Sequence, residues 1–175
     1  MRLFIAAELP RKLLDALAET SAVLRASVRG RFVAPDSFHV TLAFLGELPS
    51  ADIALAEDAL ASACEGRGPI PVGLGELGSF GRARKAVLWQ AVEDPTGGLA
   101  ELASDLRSAL DRAGLDYDAK PFRAHVTLMR SAELSGGLRP PAASAWADVD
   151  AVALFSYDLS GERTHYEQLM RYSLG

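Results

Sequence analysis

A four-residue string, His-Val-Thr-Leu, stands at residues 39–42 and again at residues 125–128 of a 175-residue chain. The chain holds only three histidines, so two of the three open a copy of that string. The repeat constrains the fold because the elements around it recur in the same order. Residues 2–7 (RLFIAA) are a short apolar run closed by Pro10 and read as a buried strand. From Pro10 to Arg29 the pattern turns helical, with Leu13, Leu17, Leu24 and Val28 on one stripe and Pro10 suited to a helix start. Arg31-Phe32-Val33 and a Pro35-Asp36 turn lead into the first HVTL strand, which ends at Gly46. In the second half, residues 86–92 (AVLWQAV) read as a strand and Pro95-Thr96 as a helix start. Leu99, Leu102, Leu106 and Leu110 form a stripe that Gly114 terminates, and residues 117–129 contain the second HVTL strand. With an offset of 85, Ala6, Glu8 and Pro10 fall on Ala91, Glu93 and Pro95; with an offset of 86, His39 falls on His125. The chain therefore reads as one domain, residues 1–175, made of two pseudo-symmetric lobes that each carry a His-x-Thr strand.

Between and after these units the pattern is less regular. Ser50 is a candidate cap for a helix with Ile53, Ala56, Leu60 and Cys64 on one side, stopped by Gly66 and Gly68. Residues 69–80 are Gly-rich and partly alternating, a weak strand. Arg82, Arg84 and Lys85 form a basic loop, read as a solvated turn rather than an RNA contact. Residues 135–141 are a Gly- and Pro-rich loop, and strands are expected near 149–159 and 166–174. Trp89 and Trp146 are assigned to the core, and His165 to the surface.

A strand alternates its side chains, so His39 and Thr41 share one face while Val40 and Leu42 share the other; the same holds for His125 and Thr127. Val and Leu belong to the core. Each strand thus offers an imidazole and a hydroxyl about 6–7 Å apart on the opposite face. Facing each other across a cleft, the two strands would hold two His and two Thr in near-symmetric array. An imidazole has an unperturbed pKa near 6.5, so one neutral and one protonated histidine can take a proton from an attacking oxygen and give one to a leaving oxygen. Two threonine hydroxyls can donate to anionic oxygens between them. A phosphate diester fits that array, with no metal and no other cofactor. The competing zinc reading lacks a third ligand: neither histidine has a cysteine or carboxylate at ligand spacing. The pattern alone does not assign the acid and base roles, because the halves look alike.

Composition narrows the partners. The formal charge of −5 argues against extended wrapping of nucleic acid, but not against a small phosphate-bearing ligand or one RNA end. The single cysteine, Cys64, excludes an internal disulfide framework and a Cys-rich metal site, and fits a reducing compartment. Glu8 and Pro10 interrupt the first apolar run before a signal-peptide core can form, and no apolar stretch approaches the roughly 20 residues of a membrane span. A cytoplasmic monomer is expected, with no membrane and no protein partner.

The paired His-x-Thr strands resemble the two-histidine (2H) phosphoesterase superfamily, and within it the RNA 2′,3′-cyclic phosphodiesterases, also called 2′-5′ RNA ligases. The resemblance extends over RLFIAAELP at the start, Arg31-Phe32-Val33, FHVTLAFLG (residues 38–46), the GSF segment ending at Phe80, PFRAHVTLMR (residues 121–130) and Ser156-Tyr157-Asp158-Leu159. One departure is Ala124, where the family usually has Pro before the second histidine. The resemblance implies an α/β (α+β) bilobal fold: two mainly antiparallel sheets, outer helices and a central cleft. It implies hydrolysis of an RNA terminal 2′,3′-cyclic phosphate to a 2′-phosphomonoester, with reversible 2′-5′ ligation as the reverse reaction. Carried over, His39 is the general acid on the departing 3′ oxygen, His125 is the general base, and Thr41 and Thr127 hold phosphate oxygens. Other members of the superfamily leave two alternatives: another cyclic nucleotide, 2′-5′ oligonucleotide or ADP-ribose cyclic phosphate as substrate, or an RNA-end binding module without turnover. Arg130, five residues past His125, is a candidate phosphate ligand, but strict alternation puts it on the wrong face unless the strand bulges. Phe44 and Phe122 flank the motifs and are assigned to core packing rather than base stacking.

Overall fold

The computed structural model describes residues 1–134, 141–161 and 164–175. Among these residues nine strands and three helices follow in the order β1 (Arg2–Glu8), α1 (Arg11–Arg25), β2 (Arg31–Phe32), β3 (His39–Glu47), α2 (Ile53–Cys64), β4 (Ile70–Phe80), β5 (Ala86–Glu93), α3 (Gly98–Ala113), β6 (His125–Ala132), β7 (Trp146–Val149), β8 (Ala151–Asp158) and β9 (His165–Ser173). The strands form two sheets, ordered β3-β1-β8-β9 and β2-β6-β5-β4-β7, and every pairing is antiparallel. One His-x-Thr strand lies in each sheet, and β3 and β6 touch where the sheets meet. This is the α/β architecture with two antiparallel sheets that the sequence led us to expect.

The helices bury the stripes that define them. Leu13, Leu17 and Leu24 of α1 and Val28 beyond it are all inside, as are Leu99, Leu102, Leu106 and Leu110 of α3. α3 ends as the sequence dictates: Gly114 takes a left-handed conformation at φ 71°, and Leu115 N–H reaches back to the Leu110 carbonyl at 3.0 Å. Its start is less obvious. Gly97 precedes the first turn, and the carboxylate of Asp94 accepts the Ala100 amide at 3.0 Å, satisfying a free helix-start donor. α2 packs against α3 and against β8 and β9. Among the described residues no helix is long and apolar enough to cross a membrane.

The strand expected at residues 69–80 forms, and two other local expectations, at Ser50 and Trp146, change. Residues 70–80 make a full eleven-residue strand despite their glycines, because β5 and β7 pair with it on either side. Ser50 does not cap α2 through its side chain; it opens a short 3-10 turn, Ser50–Asp52, that feeds the helix. Trp146 is not core: it is 48% exposed and lies over Gly73, where even a Cβ would stand 2.5 Å from its indole. Trp89 is buried as expected. The loop expected at residues 135–141 lies, up to residue 140, outside the described residues.

Candidate active site

The ladders explain how each functional side chain is placed. His39 and His125 are the first residues of β3 and β6. Val40, Leu42, Val126 and Leu128 are fully buried, while both histidines and both threonines are half-buried on the opposite face, as alternation requires. Beyond Thr41 the alternation breaks. Thr41 pairs with Ala6 and Ala43 with Ile5, leaving Leu42 as an extra residue. Beyond Thr127 the same thing happens: Thr127 pairs with Trp89 and Met129 with Leu88, leaving Leu128 extra. Two successive side chains then go inside, Leu42 with Ala43 and Leu128 with Met129. A one-residue bulge reverses the facing of everything after it. Phe44 and Arg130, which strict alternation sends away from the histidines, therefore join their face. Phe44 is 38% exposed instead of being core, and Arg130 is exposed and electrostatically coupled to both imidazoles. Phe122, by contrast, packs against the core as expected.

Both imidazoles are held in the same way. His39 Nδ1–H donates to the Ser37 carbonyl at 2.7 Å, and His125 Nδ1–H donates to the Arg123 carbonyl at 2.6 Å. A carbonyl only accepts, so Nδ1 carries the proton and Nε2 is the nitrogen free for chemistry. Nε2 of His39 accepts the Thr41 hydroxyl at 3.1 Å. The approach to β3 is set by the 3-10 turn Pro35–Ser37, which presents the Ser37 carbonyl to the ring.

Aromatic rings enclose each histidine. Phe4 stacks on His39 with centroids 4.8 Å apart, and Tyr166 meets it edge-on at 5.6 Å. Phe80 and Trp89 flank His125 at 5.3 and 5.8 Å. Gly78 makes room for the Trp89 ring, since a Cβ there would stand 2.2 Å from it. Burial in these rings is the main reason the His39 pKa falls from 6.5 to about 4; the bond to Ser37 opposes the fall, and the Arg130 and His125 charges add to it. His125 is lowered too, again chiefly by burial, with its bond to Arg123 opposing and the Arg123 and Arg130 cations adding. The Tyr166 phenol, raised by burial, is reached by Arg130.

Sequence reasoning missed several of these residues. Phe4 and Trp89 lie on β1 and β5, which pair with the motif strands, while Phe80 and Tyr166 come from β4 and β9, further out in the same sheets, and only the tertiary fold brings them to the rings. Glu8, directly opposite His39 on β1, is held by Gln168 at 2.7 Å and Arg171 at 2.8 Å from β9. A signal existed for Arg123: it stands two residues before His125, as Ser37 stands two before His39. His165 is exposed, as expected. Among the described residues no three His, Cys, Asp or Glu side chains come together as a metal-ligand group.

The arrangement can take a proton on one side of a bound group, give one on the other, and neutralise negative charge with Arg130. Known proteins share the sequence pattern and the fold. The model of the 2′-5′ RNA ligase superfamily matches residues 13–161. The RNA 2′,3′-cyclic phosphodiesterase of Escherichia coli K12 is 34% identical over 99% of this chain and 96% of its own length. A crystal structure from Thermus thermophilus superposes with a TM-score of 0.82 at 28% identity, covering 99% of this chain and 98% of that one. Escherichia coli LigT, crystallised with 3′-AMP, gives a TM-score of 0.77 at 32% identity, covering 99% and 97%. With the paired strands in their sheets and these matches spanning nearly its whole length, the chain belongs to the 2′-5′ RNA ligase superfamily.

Proposed function

We propose that the protein hydrolyses the 2′,3′-cyclic phosphate at an RNA end to a 2′-phosphomonoester, using His39 and His125 as its acid–base pair and no metal. One observation carries this reading. Both imidazoles spend Nδ1–H on a carbonyl two residues upstream, which leaves Nε2 unprotonated in each, with only the Thr41 hydroxyl on that of His39. A core histidine needs no such duplicate. The relatives' names, RNA 2′,3′-cyclic phosphodiesterase, supply the substrate class.

In this scheme His125 Nε2 takes a proton from water as it attacks phosphorus, and His39 Nε2 protonates the departing 3′ oxygen. The Thr41 and Thr127 hydroxyls donate to the non-bridging oxygens, and Arg130 offsets their charge. Thr41 must first leave His39, which its hydroxyl occupies in the empty site. With a pKa of about 4, His39 is uncharged in the empty cleft at neutral pH. The substrate anion is what charges it, because a negative group within about 4–6 Å favours imidazolium. Protonation of His39 is thus coupled to binding, and its weak basicity makes it a strong donor to the leaving oxygen. 2′-5′ joining uses the same groups in the same roles, with the 5′-hydroxyl of a second RNA in place of water: His125 takes its proton and His39 protonates the departing 3′ oxygen. The whole chain acts as one domain of two lobes with the site between them, a cytoplasmic monomer that needs no protein partner.

The test is His39→Ala and His125→Ala on a short RNA ending in 2′,3′-cyclic phosphate, with folding checked by circular dichroism. Each folded variant loses turnover. Substantial turnover in both would remove the histidines from the mechanism.

A further inference from the structure

Arg123 contributes more than its carbonyl. Its guanidinium sits 5.6 Å from the Trp89 ring centre and 5.9 Å from that of Phe80, the two rings that flank His125. It is exposed, and among the described residues it has no carboxylate partner. Phe80 is itself 39% exposed and is the last residue of β4. The hairpin loop that follows carries Arg82, Arg84 and Lys85, all exposed and likewise without an acidic partner among the described residues. In a chain of net charge −5, four cations without an acidic partner among the described residues thus gather at the open ring of Phe80 beside His125: Arg123 over the ring, and Arg82, Arg84 and Lys85 in the five residues that follow it in the chain.

We infer that this cluster is a track for single-stranded RNA outside the reacting centre: Arg123 holds a phosphate neighbouring the scissile one, Phe80 supports a base, and Arg82, Arg84 and Lys85 meet phosphates further along. The chemistry is that of single-strand binding, in which cations follow the backbone and aromatic faces stack bases without reading sequence. Seating on two rings fixes the Arg123 fork in advance, so less side-chain freedom is lost when it meets a phosphate. The track gives the site a preference for oligonucleotide ends over cyclic mononucleotides. It rests on the reaction proposed above.

The experiment compares kcat/KM on a decanucleotide ending in 2′,3′-cyclic phosphate with kcat/KM on cytidine 2′,3′-cyclic phosphate. The proteins are the wild type, Arg123→Gln, Arg123→Lys and a triple Arg82→Gln, Arg84→Gln, Lys85→Gln variant. The ratio cancels any effect that loss of the cation has on His125 itself. Wild type is expected to favour the decamer. Arg123→Gln lowers the ratio about tenfold, Arg123→Lys restores part of it, and the salt dependence of decamer turnover flattens by about 0.7 in log–log slope per phosphate contact removed. The triple variant lowers the ratio without altering the mononucleotide pH profile. Unchanged ratios and slopes in both Gln variants would overturn the track. If wild type turns over neither substrate, the reaction assignment fails instead, and fluorescence anisotropy of the labelled decamer on the same variants, with the same expected losses, decides the track.

Discussion

Because burial drives the His39 pKa from 6.5 to about 4, the folded protein must lose stability in acid through this one side chain. The folded state binds the proton more weakly than the unfolded chain, so the unfolded state carries more protons between those two values and stability rises with pH there. The contribution is fully present above about pH 6.5 and is lost as pH falls through about 4. At about 1.4 kcal/mol per pKa unit the difference is worth about 3 kcal/mol. The perturbation is His39→Asn, whose amide can still donate to the Ser37 carbonyl but does not titrate. Urea denaturation of both proteins at half-unit steps from pH 7 to 4 reads the effect. His39 is the one titrating group the two proteins do not share, so the wild type should lose about 3 kcal/mol more than the variant over that interval. Parallel stability curves would refute the burial argument. Proton NMR of the His39 ring gives the same pKa directly, and inorganic phosphate should raise it by placing an anion beside the ring.

Three other changes have defined outcomes. Gly78→Ala drives a methyl into the Trp89 ring and so disturbs the wall of His125; kcat should fall at least tenfold while thermal unfolding shows the protein still folded, and normal kcat would show that the ring yields freely. Ser131→Gly relieves a non-glycine residue held at φ 51° next to Arg130, and should stabilise the fold by about 1 kcal/mol in urea denaturation, with no gain expected only if that conformation is unstrained. Leu106→Ala empties a fully buried position of α3 away from the histidines; stability should drop by about 2–5 kcal/mol, with kcat of the folded fraction unchanged.

The histidines and threonines were legible because alternation plus duplication puts them on one face of two matching strands. Arg130 was legible only in part. Its sequence position says the wrong face, and the bulge at Leu128 that turns it around depends on how β6 pairs with β5. Strict alternation misplaces Phe44 for the same reason at Leu42. The internal alignment was also imperfect. An offset of 85 sets Glu8 on Glu93, yet in the ladders the residue opposite His39 is Glu8 and the residue opposite His125 is Ala91, two positions earlier. A shift of two keeps every side chain on its face, so the pattern of apolar residues cannot reveal it. Tyr166 and the Glu8–Gln168–Arg171 contacts depend on β8 and β9 joining β1, a pairing between opposite ends of the chain. Trp146 misled because a large apolar ring usually goes inside, whereas here it covers a glycine on the flank of a sheet.

The central claim is acid–base cleavage of a cyclic phosphodiester with defined regiochemistry. Phosphorus NMR of a short RNA ending in 2′,3′-cyclic phosphate, incubated with the protein in EDTA, tests it in one step. The account requires the cyclic signal to be replaced by that of a 2′-phosphomonoester. Persistence of the cyclic end, or its conversion to a 3′-phosphomonoester, would contradict it.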